Sequence, residues 1–404
     1  MRIVYFAGYF YPEEYAGSYV FETIVKQAAK GNEVYVITPQ PTKVADDKSH
    51  LNYKEYEEYK GIKIYRFPMK KEPKGTLGRF LRYFICNFNY MKYAKKIPEI
   101  DCVFSGSTPP ILGLAAGTVA RKRKVPFVYS LQDVFPDSLI STGLLKKKSG
   151  IIWKVGRLVE NITYSLCSKI AVISEDMKAN LIAKNVPEGK ITIIRNFTDL
   201  EGYVNIERKN NPLFSELGLD ESKFYVMYAG NFGKAQNLSL LLETAKMLKN
   251  EKSIHFLLIG NGFEEDKLKE YAATHKLENV SFFPMQSAEK VAQVYNLPDV
   301  AVVMCRKGTG KSSMPSKTWT IMSCETPLIV SFDSETEMER VITKSKSGLF
   351  VEADDSKLLK DAILKFKNSG KDIAIYGKNG REFVEKNLSE EHCMAAYMEL
   401  LGVE

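Results

Sequence analysis

The sequence predicts two doubly wound α/β domains followed by a helical tail. Three observations carry this. Short β-branched and aromatic runs alternate with amphipathic stretches along nearly the whole chain. The alternation breaks once, between residues 196 and 212, and then restarts. Residues 371–402 read as two consecutive helices with no strand between them.

In the first half, residues 2–6, 33–38, 63–67, 101–105, 127–131, 169–173 and 191–195 read as strands. Between them, 18–30, 77–96, 109–121, 149–166 and 175–184 read as helices, with Gly31 placed to cap the first. Strands that are apolar throughout and joined by helices imply a parallel sheet covered on both faces. The polar segment 196–212, with its Asn-Asn-Pro, reads as a linker. After it, 224–229, 254–259, 280–283, 299–304 and 328–331 are the strands. Helices are expected at 238–248, 264–275, 288–295, 315–322 and 356–367. The expected domains are 1–200 joined by the last helix, 387–404, and 201–386.

Composition narrows the class. With 45% hydrophobic and 26% charged residues the chain is ordinary folding material, which excludes disordered and collagen-like readings. No apolar run approaches the ~18 residues of a spanning helix. The start, MRIVYFAGYFYPEEY, lacks the basic, apolar and small-residue order of a signal peptide. The formal charge of +8 suits nucleic acid, an anionic membrane surface or phosphorylated substrates without choosing among them. The six cysteines are dispersed with no metal or redox spacing, and the four histidines are scattered, so reduced core thiols in a cytoplasmic protein and no metal site are expected.

Ligands of open parallel sheets bind beyond the carboxyl ends of the strands, so the loops there carry the functional expectations, and with two such domains in tandem the natural site is the cleft between them. After the first strand, residues 7–18 end in Gly17-Ser18 before a helix. Gly17 lets a backbone approach a ligand and the helix start favours an anion; a turn with a Ser18 cap explains the same residues equally well. The GxGxxG fingerprint of dinucleotide binding is absent. Gly230-Asn231-Phe232-Gly233-Lys234-Ala235-Gln236-Asn237 follows another strand, and Gly260-Asn261-Gly262 the next. Each is weak alone; two adjacent glycine turns after parallel strands point to a nucleotide diphosphate.

The loop Cys305–Lys317 contains Gly-Thr-Gly-Lys-Ser. A P-loop needs glycine five positions before Gly310, where Cys305 stands. Lys311, Ser312 and Ser313 precede Met314-Pro315-Ser316-Lys317, which looks more like the helix start, with Pro315 suited to the first helical position. Ser316 and Lys317 would then lie in the first turn, where free N–H groups attract phosphate. A solvated basic loop is the rival reading. Phosphate binding is favoured because Arg306, Lys307, Lys311 and Lys317 crowd the end of a core strand.

In the first half, Leu131-Gln132-Asp133 places Asp133 just past a strand, as a carboxylate meeting sugar or acceptor, or as an Asx turn before Pro136. No second carboxylate forms an acid/base pair with it, no Ser/His/Asp set exists, and no Asp-x-Asp triplet offers a divalent-metal clamp. Residues 77–96 are basic and aromatic with almost no acid, suited to an anionic membrane interface or to a core helix with snorkelling lysines; 144–154 has the same character and tips the reading toward the membrane. The aromatics occupy apolar helix positions, not an open stacking platform, which argues against nucleic acid.

Taken together, YAGNFGKAQNLSLLLETAK (228–246), FLLIGNG with VSFFP (256–284), PSKTWTIMSCETPLIVS (315–331), SGLFVEADD (347–355), 380–401, 10–38 and LQDVFPDSLISTGLL (131–145) resemble glycosyltransferase family 4 over almost the whole chain. The nearest branch is the L-fucosamine-transferase-like enzymes of bacterial surface polysaccharides. The resemblance implies a GT-B fold: two Rossmann-like domains facing a cleft, the last helix crossing back to the N-terminal domain, the nucleotide sugar in the C-terminal domain. It implies retaining, metal-independent transfer. Carried over, Gly17 meets the diphosphate; Asn231, Lys234 and Gln236 lie near phosphates or sugar; Phe283, Pro284 and Met285 frame the base; Ser316 and Lys317 hold phosphate. Asp133, Lys234 and Lys317 are the expected catalytic residues. Four positions depart from the family pattern: its two glutamates fall on Ser312 and Thr320, its arginine on Asn231, and its histidine on Gln132.

The expected function is transfer of an N-acetylated sugar from a UDP-sugar to a lipid-diphosphate-linked saccharide in capsule or O-antigen synthesis, with no cofactor. The protein would work in the cytoplasm at the inner face of the cell membrane, held there through helix 77–96. A UDP-sugar 2-epimerase and a non-catalytic nucleotide-sugar-binding subunit are the alternatives.

Overall fold

The computed structural model describes residues 1–13, 18–41, 53–69, 76–141, 145, 147–312 and 314–403. The chain divides into two units: 1–136 with 148–196 and 391–404, and 137–147 with 197–390.

The first unit is built on β1 (Arg2–Phe6), β2 (Glu33–Pro39), β3 (Tyr56–Tyr59), β4 (Ile62–Phe67), β5 (Cys102–Gly106), β6 (Phe127–Leu131), β7 (Lys169–Val172) and β8 (Ile191–Ile193). Their order is β3-β4-β2-β1-β5-β6-β7-β8. All pairings are parallel except β3 with β4, where Tyr56 faces Tyr65. β1, β5 and β6 are buried almost end to end, as strands covered on both faces must be. The covering helices include α1 (Ser18–Ala28), α2 (Thr76–Ala94), α3 (Leu112–Arg123), α5 (Ile151–Leu166) and α6 (Glu175–Ala183); the one-turn α4 (Ser138–Ser141) belongs to the second unit. Ser174 caps α6 by accepting the Met177 N–H at 3.1 Å. Both α2 and α5 pack on α3.

The second unit carries α7 (Leu213–Glu216), β9 (Phe224–Asn231), α8 (Leu238–Met247), β10 (Ile254–Asn261), α9 (Glu265–Thr274), β11 (Val280–Phe283), α10 (Val291–Tyr295), β12 (Val300–Met304), α11 (Lys317–Ser323), β13 (Leu328–Phe332), α12 (Glu337–Ser345), β14 (Gly348–Glu352) and α13 (Ser356–Asn368). The sheet order is β11-β10-β9-β12-β13-β14, all parallel. Leu241, Leu242, Phe256, Leu258, Val302 and Ile329 centre its core. The order reverses direction at β9 and β12, which opens a crevice at their carboxyl ends.

The tail forms α14 (Ala374–Asn387) and α15 (Glu390–Leu401), with no strand between. Most of α15 belongs to the first unit. Tyr397 is fully buried there, its hydroxyl 2.9 Å from Ser130 Oγ and its ring edge-on to Phe104.

β3, β14, α12 and the one-turn helices α4 and α7 were not anticipated, and the helix expected from Pro315 starts at Lys317. Pro315 and Ser316 instead supply the carbonyls that the Thr318 and Trp319 N–H groups bond in the first turn. No described helix is long and apolar enough to cross a membrane.

Candidate active site

The crevice between β9 and β12 is where the second unit gathers its unusual chemistry. β9 ends in Tyr228-Ala229-Gly230-Asn231 and runs beside Ile259-Gly260-Asn261 of β10 in register, Gly230 opposite Gly260. Both glycines have positive φ, 135° and 154°. A Cβ on Gly260 would stand 1.9 Å from the Gly230 carbonyl oxygen. Gly260 therefore lets two strand ends close together. Gly260→Ala is expected to destabilise the unit by about 3 kcal/mol or more, read as a fall in the unfolding midpoint. A midpoint equal to the unaltered protein's would refute that close packing.

Lys317, the first residue of α11, reaches into this crevice. Its Nζ donates to the Ala229 carbonyl oxygen at 2.9 Å and lies 3.9 Å from the centre of the Tyr228 ring. A Cβ on Gly230 would meet the same Nζ at 2.9 Å, so the glycine keeps room for the ammonium. No ion pair holds Lys317 among the described residues. Desolvation lowers its pKa from the ordinary lysine value to about 7. A desolvated cation lacking a carboxylate partner is a ready receptor for an anion.

The loop after β9 turns back over the site. Phe232 N donates to Asn261 O at 2.7 Å, and the Tyr228 hydroxyl to Asn231 O at 2.9 Å. Asn231 is exposed and Gln236 half-buried. Gln236 Oε1 is buried without a hydrogen-bond partner among the described residues, an acceptor free for a ligand's hydroxyl or N–H. Lys234 holds its ammonium 4.9 Å from the centre of the Phe263 ring, which is 82% exposed. Across the crevice, Arg306 N donates to Ala235 O at 2.7 Å and joins the loop after β12 to the loop after β9.

Several expected residues stand elsewhere. Phe232 and Met314 are buried, so neither side chain opens toward a ligand; the Phe232 ring belongs to the core. The Gly-Thr-Gly-Lys-Ser amides are not a phosphate cradle: Gly308 and Gly310 N–H donate to the two carboxylate oxygens of Asp333, each at 2.8 Å. Lys307 and Lys311 are drawn outward, 3.5 Å from Glu352 and 3.9 Å from Glu335. Ser312 donates its hydroxyl to Thr309 O at 2.8 Å, and Thr320 is half-buried within α11. Asn261 is exposed at the end of β10, Gly262 is half-buried, and Ser316 is exposed before α11. Phe283 is half-buried at the end of β11, with Pro284 and Met285 exposed after it. Gly17 and Ser313 lie outside the described residues.

In the first unit, the residue at the expected histidine position is held firmly. Gln132 accepts the Asn196 side-chain amide at 2.7 Å, donates to Ser130 Oγ at 3.1 Å, and so connects to Tyr397. Asp133 N–H points at Ser107 Oγ from 3.4 Å. Desolvation by the surrounding protein raises the pKa of its carboxyl. A small recess lined by Gly8, Tyr9, Gln40, Arg82, Cys86 and Pro109 lies at the carboxyl ends of β1, β2 and β5. Among the described residues no three His, Cys, Asp or Glu side chains come together as a metal site.

Sequence reasoning missed Tyr228, Asp333 and Asp354. Tyr228 has a local signal, the aromatic before the glycine turn. The two aspartates have none, because their partners are distant in the chain.

Comparison with known proteins agrees with this architecture. Residues 16–201 match the Glycosyltransferase Family 4 domain, and residues 210–383 match glycosyl transferases group 1. WcaI of Escherichia coli (strain K12), named as a colanic acid biosynthesis glycosyl transferase, is 24% identical over 95% of both chains. WbjE of Pseudomonas aeruginosa, named as a glycosyltransferase, is 25% identical over 81% of this chain and 80% of its own. The solved structure of Anabaena HepE in complex with UDP and glucose superposes with a TM-score of 0.73 over 99% of both chains at 15% identity. The two matched domains divide nearly the whole chain between them, and the chain belongs to the family 4 glycosyltransferases of the GT-B fold.

Proposed function

We propose that this glycosyltransferase takes a sugar, an N-acetylated hexose, from a UDP-sugar and transfers it with retention to a lipid-diphosphate-linked saccharide in the synthesis of a bacterial surface polysaccharide. The observation that carries the donor half is the unpaired Lys317 ammonium at the β9/β12 crevice, beside Gly230. As the bond from the anomeric carbon to the diphosphate breaks, negative charge grows on the leaving UDP. A cation already desolvated at that point stabilises it without reorganising. The same account needs no metal, and chelators should leave turnover unchanged. Lys234 and Gln236 stand where the sugar and its phosphate meet the loop; Asp133 is assigned to the acceptor side.

The name of WcaI supports the polysaccharide pathway, and the UDP bound to HepE supports the donor class. Two helices of the first unit support a membrane-borne acceptor. α5 exposes Ile151, Ile152, Val155, Leu158 and Ile162, and α2 exposes Phe84, Ile85 and Phe88. The same α2 buries Cys86, Tyr90 and Tyr93, so one face belongs to the core and the other to an interface. Lys147 and Lys148 precede α5 in the sequence and Lys154 lies in its first turn, with Lys148 over the Trp153 ring. An apolar stripe with a basic border lies in the boundary of an anionic bilayer; we place the enzyme on the cytoplasmic face.

The test is turnover with UDP-glucose, UDP-galactose, UDP-N-acetylglucosamine and UDP-N-acetylgalactosamine, with and without a lipid-diphosphate saccharide. Acceptor-dependent UDP release is expected. An isomerised donor with no transfer would favour the epimerase, and binding without turnover the non-catalytic subunit.

A further inference from the structure

The walls of the proposed donor site are tied down by carboxylates that lie one and two strands further out. Asp333, after β13, accepts the Gly308 and Gly310 N–H groups, one on each oxygen at 2.8 Å. Asp354, after β14, accepts the Asn237 side-chain amide at 2.6 Å and the Lys307 N–H at 3.3 Å. Asp354 therefore spans the loop after β9 and the loop after β12. Gly308 holds φ of 85°, Asn237 47° and Asp354 63°, all in the left-handed region. A Cβ on buried Gly310 would lie 3.0 Å from Asp333 Oδ2, so the loop seats tightly on the carboxylate. These are charge-assisted bonds, stronger than neutral ones.

The arrangement has an electrostatic consequence. Amides that could have cradled a phosphate are spent on Asp333. The loop 305–312 is thereby left for the neutral part of a donor, while the anionic part goes to Lys317. We propose that Asp333 and Asp354 are positioning residues for glycosyl transfer: they fix the backbone of 230–237 and 305–312 in the shape that orients the donor's sugar. This rests on the donor-site reading above.

The experiment compares the unaltered enzyme with Asp333→Asn and Asp354→Asn. Asparagine keeps the shape but offers one acceptor and turns a donor toward a donor. UDP, which has no sugar, is expected to bind Asp333→Asn within about threefold of the unaltered Kd, while kcat falls on the order of 30-fold, the scale of a lost charge-assisted bond. The kcat is measured with whichever of the four UDP-sugars named above the unaltered enzyme uses. Amide exchange in 305–312 should rise at least about tenfold in the same variant, by the same loss. Asp354→Asn, keeping one acceptor for Asn237, should show the same pattern more weakly. Unchanged kcat and exchange in Asp333→Asn would overturn the proposal. So would equal losses of UDP affinity and kcat with a lowered unfolding midpoint, which mark a fold defect only. Failure of the unaltered enzyme to bind UDP would instead remove the donor-site reading on which the proposal stands.

Discussion

Replacing Lys317 by alanine is expected to cut turnover by two to three orders of magnitude, about the effect of removing one preorganised donor at a developing oxyanion. Three features set that size. The ammonium sits at the crevice with a carbonyl and an aromatic face as neighbours, not a carboxylate. Its surroundings exclude much of the water that would screen it. And among the described residues no second lysine takes its place: Lys234 lies over Phe263, while Lys307 and Lys311 reach toward acids at the surface. UDP affinity should fall as well, since the charge also meets the ground-state diphosphate. Lys317→Arg should not restore it, because the guanidinium is wider than the gap kept open by Gly230. Unaltered UDP affinity and turnover in Lys317→Ala would remove Lys317 from the site.

The same lysine gives the site a pH dependence with a definite sign. Desolvation lowers its pKa to about 7, so the ammonium is formed below that pH and lost above it. A bound diphosphate favours the charged form and raises the pKa. Above pH 7, UDP binding must therefore take up a proton, and affinity should drop by up to about tenfold per pH unit. Lys317→Ala should flatten this slope.

The second large effect concerns the first unit. Ile151→Ser, Ile152→Ser and Leu158→Ser together should release the protein from anionic vesicles on the order of 100-fold, taking about 1 kcal/mol for each partly inserted side chain. All three are exposed, at 81%, 62% and 60%, so their loss leaves the core and the folded stability unchanged. The stripe repeats at 151, 155, 158 and 162, one face of the helix. Charge supplies the rest. Lys92→Glu and Lys95→Glu, both at exposed positions, should weaken binding to anionic vesicles and leave neutral vesicles little affected. Cosedimentation with vesicles of both compositions separates the two contributions. Retention of the triple serine variant on anionic vesicles would leave the stripe without a membrane role.

Much of the fold was legible because parallel strands buried on both faces are apolar throughout, as in the Val-Ala-Val-Val-Met of β12 and the Leu-Ile-Val-Ser-Phe of β13. The elements that escaped are those whose sequences look like surface. β3 is Tyr-Glu-Glu-Tyr at the sheet edge, exposed on alternate residues. β14 is a half-buried edge strand, and α12 carries glutamates and lysine around only a few buried positions. The Lys317 crevice was visible because Pro-Ser-Lys stands alone before a helix. Phe232 was drawn into the expected site by its place between two glycines, but its ring turns into the core. Asp333 and Asp354 act on amides 23 and 47 residues away, contacts that no local pattern encodes.

The central claim is a UDP site built on Lys317 that works without a metal. It is tested most directly by titrating the protein with UDP in the presence of EDTA, at pH 7 and pH 9, in two buffers of different ionisation heat. The account predicts one-to-one binding at pH 7, weaker binding at pH 9, and proton uptake that the Lys317→Ala variant does not show. Binding of ADP or ATP only with magnesium, or UDP binding without pH dependence or proton uptake, would contradict it.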